Sequence, residues 1–165
     1  MFSMVQHKVA LKQGRIGVIS DTHGLMRPEA LAALHGCELI IHAGDIGKSE
    51  VLDSLNRIAP VLAIRGNNDR DPWATAMADF LDLQVNGVNL QVIHNVHEIE
   101  DDPTEDKITV VISGHSHKPS VVKRDGILFV NPGSAGPRRF KLPVSVGLID
   151  LAENPLRAAI IELKI

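Results

Sequence analysis

The sequence predicts an α/β fold in which two β-sheets lie face to face with helices on their outer sides. Three observations carry this. From about residue 15 to residue 69, short apolar runs alternate with helical patterns, the signature of parallel strands joined by right-handed crossovers. Beyond residue 80 the pattern changes to alternating runs around Asn86-Gly87 and Asp125-Gly126, which read as tight hairpins. No Pro/Gly/Ser-rich linker, repeat or low-complexity stretch divides the 165 residues, so the chain reads as one domain over residues 1–165. A chain of this size buries roughly 70% of its unfolded surface. Stacking the two sheets is the economical way to cover their apolar faces.

The elements follow in order. Residues 1–14 include Gln6, His7, Lys8, Lys12 and Gln13 and read as a polar extension or a fraying first turn. They lack the roughly 7–15-residue apolar centre of a secretory signal. Ile16–Ile19 is a buried strand that ends abruptly in Ser20-Asp21-Thr22-His23-Gly24. A short helix follows over 28–34, with Pro28 at a first helical position, Glu29 in the first turn and Gly36 at the stop. Residues 38–42 form a second buried strand, closing in Ala43-Gly44-Asp45-Ile46-Gly47. Apolar positions 51, 52, 55 and 58 mark a helix over 49–58, halted before Pro60. The strand 61–65 ends in Gly66-Asn67-Asn68-Asp69. Residues 81–85 and 88–93 make the first hairpin, whose second arm delivers His94. The acidic stretch 98–106 reads as a solvated loop. A buried strand over 108–112 leads into Ser113-Gly114-His115-Ser116-His117. The second hairpin, 121–124 with 127–130, delivers Asn131-Pro132-Gly133-Ser134, and 144–151 with 157–163 form a closing antiparallel pair. The first half supplies one sheet and the second half the other.

Composition narrows the function classes. Aromatic residues are 3% of the chain, with no Tyr and one Trp, so the core is aliphatic and stacking platforms for single-stranded nucleic acid are scarce. The net charge of −3 provides no basic field for a long polyanion, and no extended nucleic acid is expected as a partner. No apolar run approaches the ~20 residues that cross a bilayer, so no membrane association is expected. The single cysteine, Cys37, suits a reducing compartment and an inert core position, and a cytoplasmic location is the default.

The chemistry lies at the strand ends. Asp21 and His23 are two apart on extended backbone and can reach one point. Ligand-type residues recur at later strand ends: Asp45, Asn67, His94, and His115 with His117. In parallel sheets the site lies beyond the carboxyl ends of the strands. These seven oxygen and imidazole donors suffice for two divalent ions if one carboxylate bridges.

In order and spacing, Asp21-x-His23, Gly44-Asp45, Gly66-Asn67-Asn68-Asp69, His94 and Gly114-His115-Ser116-His117 resemble the calcineurin-like metallophosphoesterases, across roughly residues 15 to 140. The short chain and the Asn131-Pro132-Gly133-Ser134 element resemble the small bacterial and archaeal phosphodiesterases of that superfamily. The resemblance implies a four-layer αββα sandwich. It implies that Asp21, His23 and His117 hold one metal, that Asn67, His94 and His115 hold the other, and that Asp45 bridges. Manganese is the ion the resemblance implies; Fe²⁺, Co²⁺, Ni²⁺ and Zn²⁺ suit the same donors.

The chain departs from that pattern in two places. The usual His-Gly-His is here His94-Asn95-Val96-His97; His94 directly follows the strand and is the expected ligand, with His97 the alternative. Position 68 is Asn, where many superfamily members place a His that protonates the leaving group. Asn68 can instead hydrogen-bond a phosphoryl oxygen. Arg65 and Arg138 are candidate phosphate-binding forks, Arg139 a surface residue, His42 a residue supporting the ligands or a plain core histidine, and Asp69 a loop cap. Trp73 anchors the loop after the third cluster; His7 and His35 are idle surface residues.

The expected reaction is metal-assisted hydrolysis of a small phosphodiester, with a preference for good leaving groups. Rival readings are a non-catalytic scaffold, as in a eukaryotic retromer subunit with this fold, a nuclease, and a phosphomonoesterase. The exposed edges of a two-sheet sandwich are compatible with a homo-oligomer.

Overall fold

The computed structural model describes residues 6–100, 102–104 and 107–165. Eleven strands form two mixed sheets among these residues. The five-stranded sheet contains β2 (Arg15–Ile19), β3 (Leu39–His42), β4 (Val61–Ala63), β10 (Ser145–Asp150) and β11 (Arg157–Glu162), in the order β11-β10-β2-β3-β4. The six-stranded sheet contains β1 (Gln6–Val9), β5 (Phe80–Val85), β6 (Val88–Ile93), β7 (Val110–Ile112), β8 (Ser120–Arg124) and β9 (Ile127–Asn131), in the order β1-β5-β6-β7-β9-β8. The helices are α1 (Pro28–Leu34), α2 (Ser49–Asn56) and α3 (Pro72–Thr75). Both hairpins form where the Asn-Gly and Asp-Gly pairs sit, with Asn86 and Asp125 at positive φ as such turns require.

The main core fills the space between the sheets. Ile16, Val18 and Ile41 from one side meet Leu83, Leu90, Val92, Val110 and Ile112 from the other. Each fully buried aliphatic side chain contributes about 1.5–3 kcal/mol relative to exposure. A second cluster lies under the helices, where Ala30, Leu34, Val51 and Leu55 pack on Ile19, Ile40 and Val146. The outer face of the six-stranded sheet carries a smaller cluster, Ile93, Ile108, Val111 and Ile127, topped by Val96 and Ile99. Among the described residues that outer layer holds a single 3-10 turn, Val96–Glu98, in place of an α-helix.

The structure corrects two expectations. Residues 6–9 are not part of a fraying turn: β1 pairs parallel with β5, placing His7 opposite Leu83 and Val9 opposite Val85, while residues 1–5 lie outside the described residues. The closing pair does not join the second-half sheet, because β10 runs antiparallel to β2. Each sheet thus borrows a strand from the far end of the chain, which local pattern does not encode. The segment after Asp71 turns into α3, and its Trp73 packs with the helical cluster. Of the acidic loop, Asp101, Glu105 and Asp106 lie outside the described residues.

This topology positions the site. β2, β3 and β4 are mutually parallel, and so are β6, β7 and β9. The loops after five of these strands, together with His94 after β6, therefore gather at one edge of the sandwich.

Candidate metal centre

The β2–β3 pairing continues past the strands as a ladder of loop backbone. Asp21 N–H donates to Gly44 O, His23 N–H to Asp45 O, and Gly24 N–H to Ile46 O, at 3.0, 3.0 and 2.7 Å. Asp21 and Asp45 are thereby fixed side by side. Asp21, His23, Asp45, His115 and His117 all adopt positive φ, between 46° and 71°. Such backbone costs of order 1–3 kcal/mol per non-glycine residue and concentrates at functional sites. Here it turns five of the seven expected ligands toward the gap between the sheets.

Two groups of ligand atoms result. Asp21, His23 and His117 form one; Asp21, Asp45 and His94 form the other. Asp21 Oδ1 lies 3.4 Å from His117 Nε2, 3.8 Å from His94 Nε2 and 3.9 Å from His23 Nε2. Asp45 Oδ2 lies 3.3 Å from His94 Nε2 and 3.8 Å from His23 Nε2. Asn67 and His115 line the adjoining cavity with His94, and the His115 ring stands edge-on to the His94 ring at 5.2 Å. His97 is exposed in the 3-10 turn.

The donor atoms suit a cation. Asp21 Oδ1, His23 Nε2, His94 Nε2 and His117 Nδ1 are buried without a hydrogen-bond partner. Unpaired buried polar atoms are costly, and their convergence points to a group that would satisfy them. His94 Nδ1 sits 2.7 Å from Ala43 O, and a carbonyl only accepts, so this nitrogen carries the proton. Nε2 then faces two carboxylates with its lone pair, the arrangement of a metal-ligating histidine.

The electrostatics agree. Burial pushes the Asp21 carboxyl up, but the adjacent His117 ring and the charge of His94 bring it below its ordinary value. Asp45 is likewise lowered, burial being outweighed by His94 and by the Asn68 hydrogen bonds. Burial alone would lower His94; the neighbouring Asp45 carboxylate and the charge of Asp21 raise it.

A surrounding shell holds these residues. Ser20 Oγ donates to Asp21 Oδ2 at 2.8 Å, and the His115 N–H donates to the same oxygen at 3.0 Å. Asp21 is left with Oδ1 to offer. Asn131 Nδ2 donates to Gly114 O and Ser116 Oγ, and Ser134 Oγ donates to Asp21 O, so the 131–134 turn clamps two ligand loops. The Asp69 carboxylate accepts from the N–H groups of Ile46, Gly47 and Gly66, tying the β3 and β4 loops together. Its expected capping role thus spans two loops. His42 is fully buried, accepts from Gly44 N–H through Nδ1 and so donates from Nε2 to Thr22 Oγ1. Burial holds it neutral, with its pKa lowered to about 4. Cys37 is buried in the helical cluster and its thiol is pushed up by burial.

Three expected substrate contacts are placed differently. Asn68 donates through Nδ2 to Asp45 Oδ2 at 2.9 Å and through its N–H to Asp45 Oδ1 at 3.0 Å. Its amide grips a ligand rather than standing open to a phosphoryl oxygen, because Gly66 lets the turn wrap onto that carboxylate. Arg65 is in the cavity wall, but Asp79 takes its guanidinium, with Nε–Oδ1 2.5 Å and Nη2–Oδ2 3.3 Å. Arg138 is exposed on the loop after Gly136 and belongs to neither ligand group nor the cavity wall.

The cavity itself has a volume of about 760 Å³ and opens beside His94, His115 and Asn67. Its floor is the outer face of β5 and β6, through Phe80, Asp82, Gln91 and Ile93, and one wall is the 95–100 segment. Sequence reading missed this wall, since Glu98 and Glu100 read only as part of a solvated loop. It also missed Ser20, whose signal was its place directly before Asp21.

Comparison with known proteins identifies the family. Residues 15–154 match the family model described as the calcineurin-like phosphoesterase superfamily domain. A protein of Methanothermobacter thermautotrophicus named "Probable metallophosphoesterase" is 33% identical over 158 residues, covering 88% of this chain and 91% of the relative. A phosphodiesterase of Methanocaldococcus jannaschii is 25% identical over 167 residues, covering 90% of this chain and 99% of the relative. Among solved structures, vacuolar protein sorting 29 from Cryptosporidium parvum superposes with a TM-score of 0.71 at 18% identity, covering 93% of this chain and 99% of that one.

Proposed function

This chain belongs to the calcineurin-like phosphoesterase superfamily, and from that premise we propose that it is a metal-dependent phosphodiesterase acting on small phosphodiesters through a pair of divalent ions. The observation that carries the reading is the convergence of buried, unpartnered ligand atoms from both sheets on one gap. Asp21, His23 and His117 would hold one ion, and Asn67, His94 and His115 the other. Asp45, whose Oδ2 lies 3.3 Å from His94 Nε2 and 3.8 Å from His23 Nε2, would serve both. Manganese is the proposed ion, and Fe²⁺, Co²⁺, Ni²⁺ or Zn²⁺ would suit the same donors.

Ions held by these residues would supply an activated hydroxide near neutral pH and positive charge opposite phosphorus. The chain's part is preorganisation. The Ala43 carbonyl keeps the His94 proton on Nδ1 and Nε2 free for ligation. Ser20 and the His115 N–H leave Asp21 a single outward oxygen, and Asn68 orients Asp45. Among the described residues, neither Asn68, which cannot, nor Arg65, which is held by Asp79, would protonate a departing alkoxide. Esters with good leaving groups are therefore the preferred substrates. A scaffold reading rests on the likeness to the vacuolar sorting protein, which is a likeness of fold; the presence in the sequence of every expected ligand residue favours catalysis.

The test is hydrolysis of bis(p-nitrophenyl) phosphate by metal-stripped protein, with each divalent ion added back. Turnover that requires an ion and disappears in Asp45→Ala is the expected result. Metal binding without turnover for any ion would return the weight to the scaffold reading.

A further inference from the structure

The cavity beside the metal centre is built to accept hydrogen-bond donors. Gln91 lines it, is 2% exposed, and its Oε1 has no hydrogen-bond partner. A buried amide oxygen in that state accepts an N–H or O–H donor entering the cavity. The wall adds Glu98 and Glu100, both acceptors when ionised. The one guanidinium in the lining is Arg65, and Asp79 pairs with it at 2.5 Å. No lysine lines the cavity among the described residues. Such a surface repels an anionic arm and attracts a cationic one. Phe80, Ile93 and Ile99 offer apolar contact for the carbon chain that would carry the charge.

We propose that this cavity selects phosphodiesters of amino alcohols: one ester oxygen carries the leaving group, and the other carries an alkyl arm ending in an ammonium that reaches Gln91, Glu98 and Glu100. The inference rests on the phosphodiesterase reading and specifies its substrate class. The phosphate sits at the ligand cluster, where His94 and His115 form the common edge of centre and cavity. The ammonium arm lies along the outer face of β6 toward Gln91. Oligonucleotides are disfavoured, because each further phosphate would face the glutamates.

The test uses metal-loaded enzyme and two esters of equal size and identical leaving group. These are p-nitrophenyl 2-aminoethyl phosphate and p-nitrophenyl propyl phosphate, which differ only in an ammonium against a methyl. The wild type is expected to prefer the aminoethyl ester by about tenfold or more in kcat/KM. In the double variant Glu98→Gln, Glu100→Gln that ratio should fall toward one. The change in ratio between the two enzymes cancels any difference in intrinsic ester reactivity, and both positions are exposed, so the fold is retained. A second variant, Gln91→Leu, should lower the ratio at unchanged leaving group. Equal kcat/KM for the two esters in the wild type, or a ratio that survives the double substitution, overturns the inference. Bis(p-nitrophenyl) phosphate is the separating arm. Its turnover alongside equal handling of the two esters defeats only the substrate class, whereas no turnover of it defeats the hydrolase reading and this inference together.

Discussion

Asn68 and His42 show what single residues contribute around the ligands. Asn68 makes two hydrogen bonds to the Asp45 carboxylate, 2.9 and 3.0 Å long, and only the one from its side chain is lost on truncation. Residues that orient a metal ligand typically change affinity by about 10–100-fold when removed. Asn68→Ala should therefore raise the Mn²⁺ concentration for half-maximal activity by roughly that factor, with kcat at saturating metal falling less; calorimetric metal titration checks it. An unchanged titration would mean that Asp45 needs no such support. His42 acts through protonation. The unfolded imidazole binds its proton near 6.5, while the folded one resists to about 4. Between those values the unfolded chain binds more protons. His42's contribution is thus complete above about pH 6.5 and is lost as the pH falls toward 4, by about 3 kcal/mol over the whole window. Urea unfolding of metal-free protein from pH 4.5 to 7 should show this slope, flattened in His42→Gln.

At the scale of elements, the strand-end loops depend on close backbone approach. A Cβ on Gly114 would overlap Ser20 Oγ and come within 2.7 Å of Asp21 Oδ2. On Gly126, at the tip of the β8–β9 hairpin, a Cβ would meet open space, although its φ of +79° makes alanine strained there too. Gly126→Ala should cost about 1 kcal/mol and leave metal binding intact. Gly114→Ala should abolish metal binding to Asp21 while the sheets still form, which circular dichroism and metal titration would separate. Normal binding by Gly114→Ala would show that the β7 loop can retreat from the Asp21 carboxylate.

For the molecule as a whole, the candidate centre joins the two sheets. Asp21, His23, Asp45 and Asn67 follow strands of one sheet, and His94, His115 and His117 follow strands of the other. An ion bound only by the folded state adds about 2.7 kcal/mol at a hundredfold excess over its Kd. Chelation should consequently lower Tm by several degrees, and Mn²⁺ or Zn²⁺ should restore it in the wild type but not in Asp21→Asn. A Tm indifferent to metal would argue against ligation across the sheets. The inter-sheet core is a separate source of stability. Leu83, 1% exposed, should cost about 2–5 kcal/mol on Leu83→Ala, equally with and without metal.

The candidate ligand residues were legible in the sequence because each follows a strand whose apolar run is local, and a strand's end fixes where its next side chains emerge. The hairpins were legible for the same reason, since Asn86-Gly87 and Asp125-Gly126 specify their turns without reference to the rest of the chain. Pairing over long separations was not. Gln6–Val9 looked like a polar tail until β5 supplied its partner, and β10 found β2 rather than its neighbours in the second half. The same holds inside the site. Asn68 turns to Asp45, and Arg65 to Asp79, because the folded loops place those carboxylates within reach. Gln91 reads in sequence as one polar residue of an alternating strand. Only the tertiary structure buries its amide beside the glutamates of the 95–100 segment, because burial depends on what the rest of the chain lays over it. Sequence determined which residues could bind metal and the order in which strands present them; the packing of the two sheets decided which of them meet, and what surrounds the substrate.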